Sequence, residues 1–566
     1  MKRNIIIILL ISLIYSALHC NARVISTASE LINLFNNTKL VNEDIDLAAD
    51  LDFENITVPA SLGKKNKTMY TGKFNGNGHA IKNLVMNSKY SASLFFHCGN
   101  VTITNLVIDH TCSFTGITAA GLCTEVYGYA VFKNVINKAI VTGQYLYSAG
   151  FVGNLSDIEE SPVIFDNCIN EGTVQGQVYV SGFIGVVDSS YNKVIEFINC
   201  TNNGMITGFE SSSNSLGGFI GALQDSGYVS LKFTNTINNG SIAGRDFISG
   251  FIGRLYRCSQ CSMMANNSTN NGNVQGQNYV SGFIGIVESN DETDFVLINS
   301  SNNGNVSGSD GVAGFFGVIS VDQYGQVMTP LRFSLTGCIN SGRVDGEQFV
   351  GGYFGEVFNS GTLFNITHSI NSGAVNGSDN IGGFFGMMNC QADMVMNIAN
   401  SRNDGTLTGA GNSGGFIGSM QEITRVTISE CSNTGTIKVV CSVCQVGGVV
   451  GGVITTHERT LTSSLVISSF TSDSLIDVSC DNCVVGGLIG SIDGTDQTLV
   501  SITDSVINGT LSVATNSMGL SVVGGILGYT LNDNENLAIS ISNCTRNSQI
   551  TVDNVEHVGG FIGASS

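Results

Sequence analysis

The sequence has no tryptophan, only 3 prolines and few charges; 12% of its 566 residues are Asp, Glu, Lys or Arg, about half the fraction in ordinary globular proteins. Basic residues are the scarcest: 24 Lys and Arg stand against 44 Asp and Glu, a net charge of −20. That shortage excludes duplex DNA and anionic membrane surfaces as partners, because both need Lys and Arg clusters. Beyond Lys2-Arg3 at the start, Lys64-Lys65 is the only such pair. Disorder is excluded as well, since 42% of residues are hydrophobic and can fill a core. Without proline, turns must be made by Gly, of which there are 70, and by Asn and Ser, a composition suited to short strands separated by tight turns.

Long apolar runs are also missing, except at the start. Met1-Lys2-Arg3 is followed by an apolar stretch to Leu18, and Ala22 supplies a small residue for cleavage. The run is shorter than the ~20 residues of a membrane span. It reads as a secretory signal over residues 1–22, with His19 before Cys20 arguing against a lipoprotein signal. No C-terminal anchor signal is visible. The expected location is therefore secreted or extracellular at the cell surface, with no membrane insertion after signal removal.

What the sequence has in abundance is repetition. Gly-aromatic-aliphatic-Gly blocks recur at Gly150-Phe151-Val152-Gly153, Gly182-Phe183-Ile184-Gly185, Gly218-Phe219-Ile220-Gly221 and Gly250-Phe251-Ile252-Gly253, and continue to Gly560-Phe561-Ile562-Gly563. Ahead of each runs Asn-x-Gly-x-Val/Ile-x-Gly, as at Asn170, Asn202, Asn238, Asn270 and Asn302. The period is about 32 residues, in the range of stacked repeats. The repeat Asn and the closing Gly stay about 15 residues apart, as strands held in register require. Two insertions stand out, around 210–214 and 321–329, and read as corners. Val163-Ile164-Phe165, Ile195 to Ile198, Leu231-Lys232-Phe233 and Phe295-Val296-Leu297 have strand composition, and glycine every few residues forbids helices. The expectation is an all-β parallel β-solenoid, a right-handed β-helix of about 13 coils and roughly 60 Å, with three strands per coil. Phe would stack inside and Asn amides would hydrogen-bond along a corner. Alternation cannot say which of Phe and Ile in Gly-Phe-Ile-Gly faces inward.

Residues 23–93 read as an N-terminal cap and first strands, and 94–566 as the repeats. Thr27-Ala28-Ser29-Glu30 is a capping box before a short amphipathic helix with Leu31, Ile32, Leu34 and Phe35, which closes an end that would otherwise expose core. Gly72-Lys73-Phe74-Asn75-Gly76-Asn77-Gly78-His79-Ala80-Ile81-Lys82-Asn83-Leu84, together with the Gly-Gly-Phe-Ile-Gly and Asn-x-Gly-x-Val blocks, resembles the GLUG-repeat proteins over most of residues 26–563. The resemblance implies a β-helix-like solenoid on secreted or cell-surface proteins, many of them adhesins. Some relatives carry an immunoglobulin A peptidase domain, but His457-Glu458 is followed by Arg459-Thr460-Leu461, so the zinc-binding His-Glu-x-x-His is missing.

Fifteen of the 16 cysteines follow the leader, and in a secreted chain disulfides are the default. Cys441 and Cys444 occupy the same place in their coil as Cys480 and Cys483 in the next; two disulfides, or zinc held by the four sulfurs, would fit. Cys258 and Cys261 form a third pair. Cys168 and Cys200 sit two residues before the repeat Asn on adjacent coils, where a bond or a stack of free thiols is expected. Other coils place Cys338, Cys431, Thr236, Ser268, Ser300, Ser369 or Ser401 there, a slot for a small buried side chain. Glu43, Asp44, Asp46, Asp50, Asp52 and Glu54 form the densest acidic run, either a Ca²⁺ site or a solvated first strand. Roughly fifteen Asn-x-Ser/Thr sequons, among them Asn55, Asn66, Asn154, Asn365 and Asn376, are glycosylation candidates. The histidines show no catalytic or metal spacing, and no cofactor motif is present. Function reads as a non-catalytic, adhesin-like interaction protein for an extracellular protein or glycan. The alternatives are a carbohydrate-active β-helix enzyme and a structural coat or filament component. The chain stops on a repeat at Gly563-Ala564-Ser565-Ser566, which leaves room for end-to-end self-association.

Overall fold

A computed structural model describes residues 22–565 except 38–39, 55, 57, 59–60, 64–66, 68, 157–160, 210–213, 289–291, 321–329, 359–360, 390–393, 423–424, 456–462, 495–497, 516–520 and 532–536. Residues 1–21 of the expected signal, the sequons at Asn55 and Asn66, most of both corner insertions and His457-Glu458 thus lie outside the described residues.

The capping box forms as read. Thr27 Oγ1 accepts the Glu30 N–H, while the Glu30 carboxylate accepts the Thr27 and Ser26 N–H groups at 3.1 and 2.8 Å. It starts helix α1 (Ala28–Asn37), whose buried Leu31, Leu34 and Phe35 cover the first turns. The Phe35 ring lies 5.6 Å from Tyr70 and 5.2 Å from Phe95.

Beyond the cap the chain winds into a parallel β-solenoid of about 14 turns. Fifteen strands stack in each of two sheets, a rod of about 65 Å at ~4.8 Å per strand. The third sheet has 46 strands, because each coil contributes more than the three strands expected. One coil illustrates the plan: β1 (Asp294–Ile298), β2 (Ser301–Asn302), β3 (Val306–Ser307), β4 (Asp310–Ala313) and β5 (Phe316–Ser320). The strands equivalent to β1, β2 and β5 make the large sheet, and those equivalent to β3 and β4 make the other two. Each pairs in parallel, in register, with its counterparts above and below.

The corners explain why the register holds. Between β1 and β2 sits a residue in the left-handed region, Asn in most coils (Asn199, Asn235, Asn267 and Asn299, φ 48–52°), a conformation Asn tolerates. At the next corner the repeat Asn is fully buried. From Asn137 to Asn433, ten consecutive side chains form one ladder, each Nδ2 donating to the next Oδ1 at 2.7–2.9 Å. From Asn170 to Asn403, a second Nδ2 proton goes to the carbonyl of the Gly two residues on. A buried amide without partners is costly; here stacking supplies a partner for nearly every atom.

Aromatic columns fill the core. Phe151, Phe183, Phe219, Phe251, Phe283, Phe315, Tyr353, Phe384 and Phe416 stack face to face at 4.4–5.0 Å. A second column, Phe132–Phe165–Phe197–Phe233, meets the first edge-on. Both Phe and Ile of the Gly-Phe-Ile-Gly block are buried, as at Phe183 and Ile184. Strand alternation is not violated, because Gly-Phe forms the bend between the β4- and β5-type strands and Ile begins the new strand.

Candidate functional site

The same bend shapes the outer surface. A Cβ placed on Gly317 in β5 would meet the Gly285 carbonyl at 2.4 Å, the Gly311 carbonyl at 2.9 Å and the Tyr279 backbone at 3.0 Å. The outer face of β5 is therefore in backbone contact with the β4-type strands of its own and the preceding coil. Only glycine permits that approach, and the result is a concave groove along the solenoid between the two strand columns.

Three outward columns line it. On the β4 side stand Tyr147, Tyr179, Ser215, Phe247, Tyr279, Gly311, Phe349 and Asn380, matched by register. The first outward column of β5 runs Glu125, Asn154, Val186, Ala222, Arg254, Ile286, Val318, Glu356 and Met387. The next holds Asp188, Gln224, Tyr256, Glu288, Ser320 and Phe358. Rings and carboxylates occur in most of these coils. Tyr179 donates its hydroxyl to Gln224 at 2.6 Å, and Gln224 donates to Asp188 at 3.2 Å. Tyr127 bonds to Glu125, which also pairs with His97 at 2.9 Å. The Arg254 guanidinium sits 4.7 Å over the Phe247 ring and 4.3 Å over Tyr256, and pairs with Glu288 at 2.6 Å.

Along the groove lies a cleft of about 400 Å³ walled by Phe247, Tyr279, Glu288, Glu356 and Phe358 and floored by Ile286 and Val318. The Phe247 and Tyr279 rings stack at 5.4 Å. Both residues hold positive φ, 54° and 58°, a strained conformation for a bulky side chain. Burial, reinforced by the neighbouring Asp310 carboxylate, pushes Glu356 up from 4.5 to about 7. Burial also raises Asp310, partly opposed by the Gly311 N–H, and its Oδ1 is buried with no hydrogen-bond partner among the described residues. The Tyr279 hydroxyl is raised by burial and then by the negative charges of Asp310, Glu356, Glu288 and Asp246.

The residues singled out by sequence lie elsewhere. Cys258–Cys261, Cys441–Cys444 and Cys480–Cys483 are each at bonding distance, with Cα separations of 5.8, 6.2 and 6.1 Å. Cys444 and Cys483 are register partners, yet each sulfur bonds within its own pair and none is left to hold zinc. Cys98–Cys123, a pair the sequence reading missed, joins successive turns. A Cys168–Cys200 bond is not formed: both are free and buried, donating to the Phe132 and Phe165 carbonyls of the preceding coil at 3.2 and 3.3 Å. Stacking aligns these sulfurs, but the backbone acceptors already satisfy them. They share their slot with buried Thr236, Ser268, Ser300, Ser369 and Ser401.

Four of the six carboxylates of the acidic run are engaged by neighbours. Glu43 pairs with Arg23, Asp50 with Lys82 and His79, Asp44 accepts the Lys73 N–H, and Asp52 accepts from Asn83. Among the described residues no group of three His, Cys, Asp or Glu is placed to hold a metal. As a glycan acceptor Asn154 is corrected: its side chain is buried on the β5-type strand at 8% exposure, leaving no room for a sugar. Asn365 is exposed, and Asn376 is half-buried with its amide donating to Asp345 at 2.8 Å.

No family model matches the chain, and no curated protein matches it. Among solved structures it is similar to a Bacteroides ovatus protein described as a candidate immunoglobulin A1 protease, at 17% identity and a TM-score of 0.31, over 44% of this chain and 76% of that one. A likeness at that level carries no argument about activity.

Proposed function

We propose that this chain is a secreted, surface-acting interaction protein of adhesin-like, GLUG-repeat type, without catalytic activity of its own, and that its ligand lies along the groove between the β4 and β5 columns. One observation supports this reading above the rest. From Tyr127 to Phe358 the groove presents rings and carboxylates in nearly every coil, over about 35 Å at ~4.8 Å per coil, whereas the core beneath repeats unchanged. Rings on a rigid wall bind extended chains, protein or glycan, at low entropic cost. An array of extracellular matrix proteins and glycans, probed with the full chain and with Tyr179→Ala, tests this. Selective binding that the substitution weakens is expected. Equal binding by both proteins would remove the groove from the reading, and depolymerisation of a bound glycan would replace it with the carbohydrate-active alternative.

A further inference from the structure

Resting on that reading, we propose that the cleft walled by Tyr279, Glu356, Glu288 and Phe358 is a subsite for a guanidinium group presented by an arginine side chain of an extended partner protein. The chain itself shows the fit. One coil below Tyr279, Arg254 lies against the Phe247 and Tyr256 rings and pairs with Glu288. Three coils above Arg254, its own column holds Glu356 in place of a cation, and the next outward column holds the Phe358 ring in place of Tyr256.

The upper cleft therefore offers rings and a carboxylate but, among the described residues, no cation of its own. Glu356 and Asp310 make no ion pair among the described residues, and Asp310 Oδ1 is buried without a partner. Two carboxylates at close quarters repel unless a cation joins them, and a planar guanidinium is the cation that also stacks on rings. Ile286 and Val318, 3% and 4% exposed, offer an apolar floor for the methylene stem of such a side chain. At Gly311 the ring column is interrupted: a Cβ there would stand 2.4 Å from Val318 and 3.1 Å from the Tyr279 ring. The open face of Tyr279 is kept clear by that glycine. A net charge of −20 favours approach of a basic partner.

The test uses the full chain and fluorescein-labelled hexaarginine, with hexalysine and a chitosan hexamer as competitors, read by fluorescence anisotropy. Glu356→Gln and Asp310→Asn should each weaken hexaarginine binding about tenfold, the order of one charge-assisted contact, and Glu356→Arg should abolish the site. The control Asp473→Asn/Asp477→Asn removes two charges far from the groove and should change binding little. Circular dichroism confirms folding of each variant. Equal loss in the control and the groove variants would overturn the proposal, since only bulk charge would then be at work. Stronger competition by the chitosan hexamer than by hexalysine would overturn the protein source in favour of an amino sugar. If an array ligand is lost on Tyr179→Ala but unaffected by Glu356→Arg, the interaction reading stands and the guanidinium subsite falls.

Discussion

Asn270 and Asn271 are adjacent, chemically identical and both stacked, yet their removal should differ greatly in cost. The Asn270 amide donates to Asn302 at 2.8 Å and to the Gly272 carbonyl at 3.0 Å, and accepts from Asn238 at 2.7 Å, all in an interior closed to water. Asn270→Ala strands the Asn238 N–H, the Asn302 Oδ1 and the Gly272 carbonyl together. At about 1–3 kcal/mol for each of the three buried unsatisfied groups, the loss is about 3–9 kcal/mol. Asn271 donates to Asn239 and accepts from Asn303, both at 2.9 Å, but is exposed, so water replaces its partners and Asn271→Ala should cost less than about 0.5 kcal/mol. A solenoid does not unfold as one two-state unit. The assay is therefore hydrogen exchange by mass spectrometry over the coils around residue 270, supported by urea unfolding followed by circular dichroism. Similar protection in the two variants would refute the reasoning, because it would mean that water reaches the inner ladder or that the ladder contributes nothing.

Phe251→Ala removes a ring stacked on Phe219 at 5.0 Å and Phe283 at 4.4 Å; it should destabilise by about 3–5 kcal/mol, with Phe251→Leu milder, as read from urea midpoints. Glu356 binds its proton more tightly folded than unfolded, so its contribution is harmless below about 4.5 and becomes a penalty as pH rises through about 7; Glu356→Gln should gain up to about 3 kcal/mol over the natural chain at pH 8 and nothing at pH 4, measured by local exchange at both pH values. Burial pushes the Cys338 and Cys431 thiols up to about 12, so iodoacetamide at pH 8 should leave them unlabelled until the chain is unfolded, and the closed interior should shield Cys168 and Cys200 from the reagent; labelling of the native protein would contradict their placement.

The interior was legible in the sequence because stacking converts a period of about 32 residues into columns. Wherever one coil needs Phe, Asn or a small residue, its neighbours need the same, and the repeat records it: Phe183, Phe251 and Phe283 do share one column. The strand count and the left-handed corner were not read. Two-residue strands such as Ser301–Asn302 leave no alternation to detect, and the corner Asn299 hides three residues before the more regular Asn302. Cys98–Cys123 escaped because it lies before the regular repeats begin. Asn154 was misjudged because a sequon records local sequence and not burial.

The groove was illegible for a reason that also makes it informative. On the inner face of the β4 column the residues are Leu216, Ile248, Val280, Val312, Val350 and Ile381, all aliphatic and fully buried, as a shared core demands. One position earlier in each coil, facing out, the residues from Phe247 to Asn380 run Phe, Tyr, Gly, Phe and Asn, every one at positive φ. A position that needed only the backbone conformation would hold Gly or Asn throughout, since these bear it most cheaply. Phe247, Tyr279 and Phe349 bear a backbone cost that the fold does not require, and no period can announce residues that differ from coil to coil. In a solenoid the repeating columns account for stability and the non-repeating ones for recognition. The three strained rings therefore support our proposal that a ligand lies along the groove.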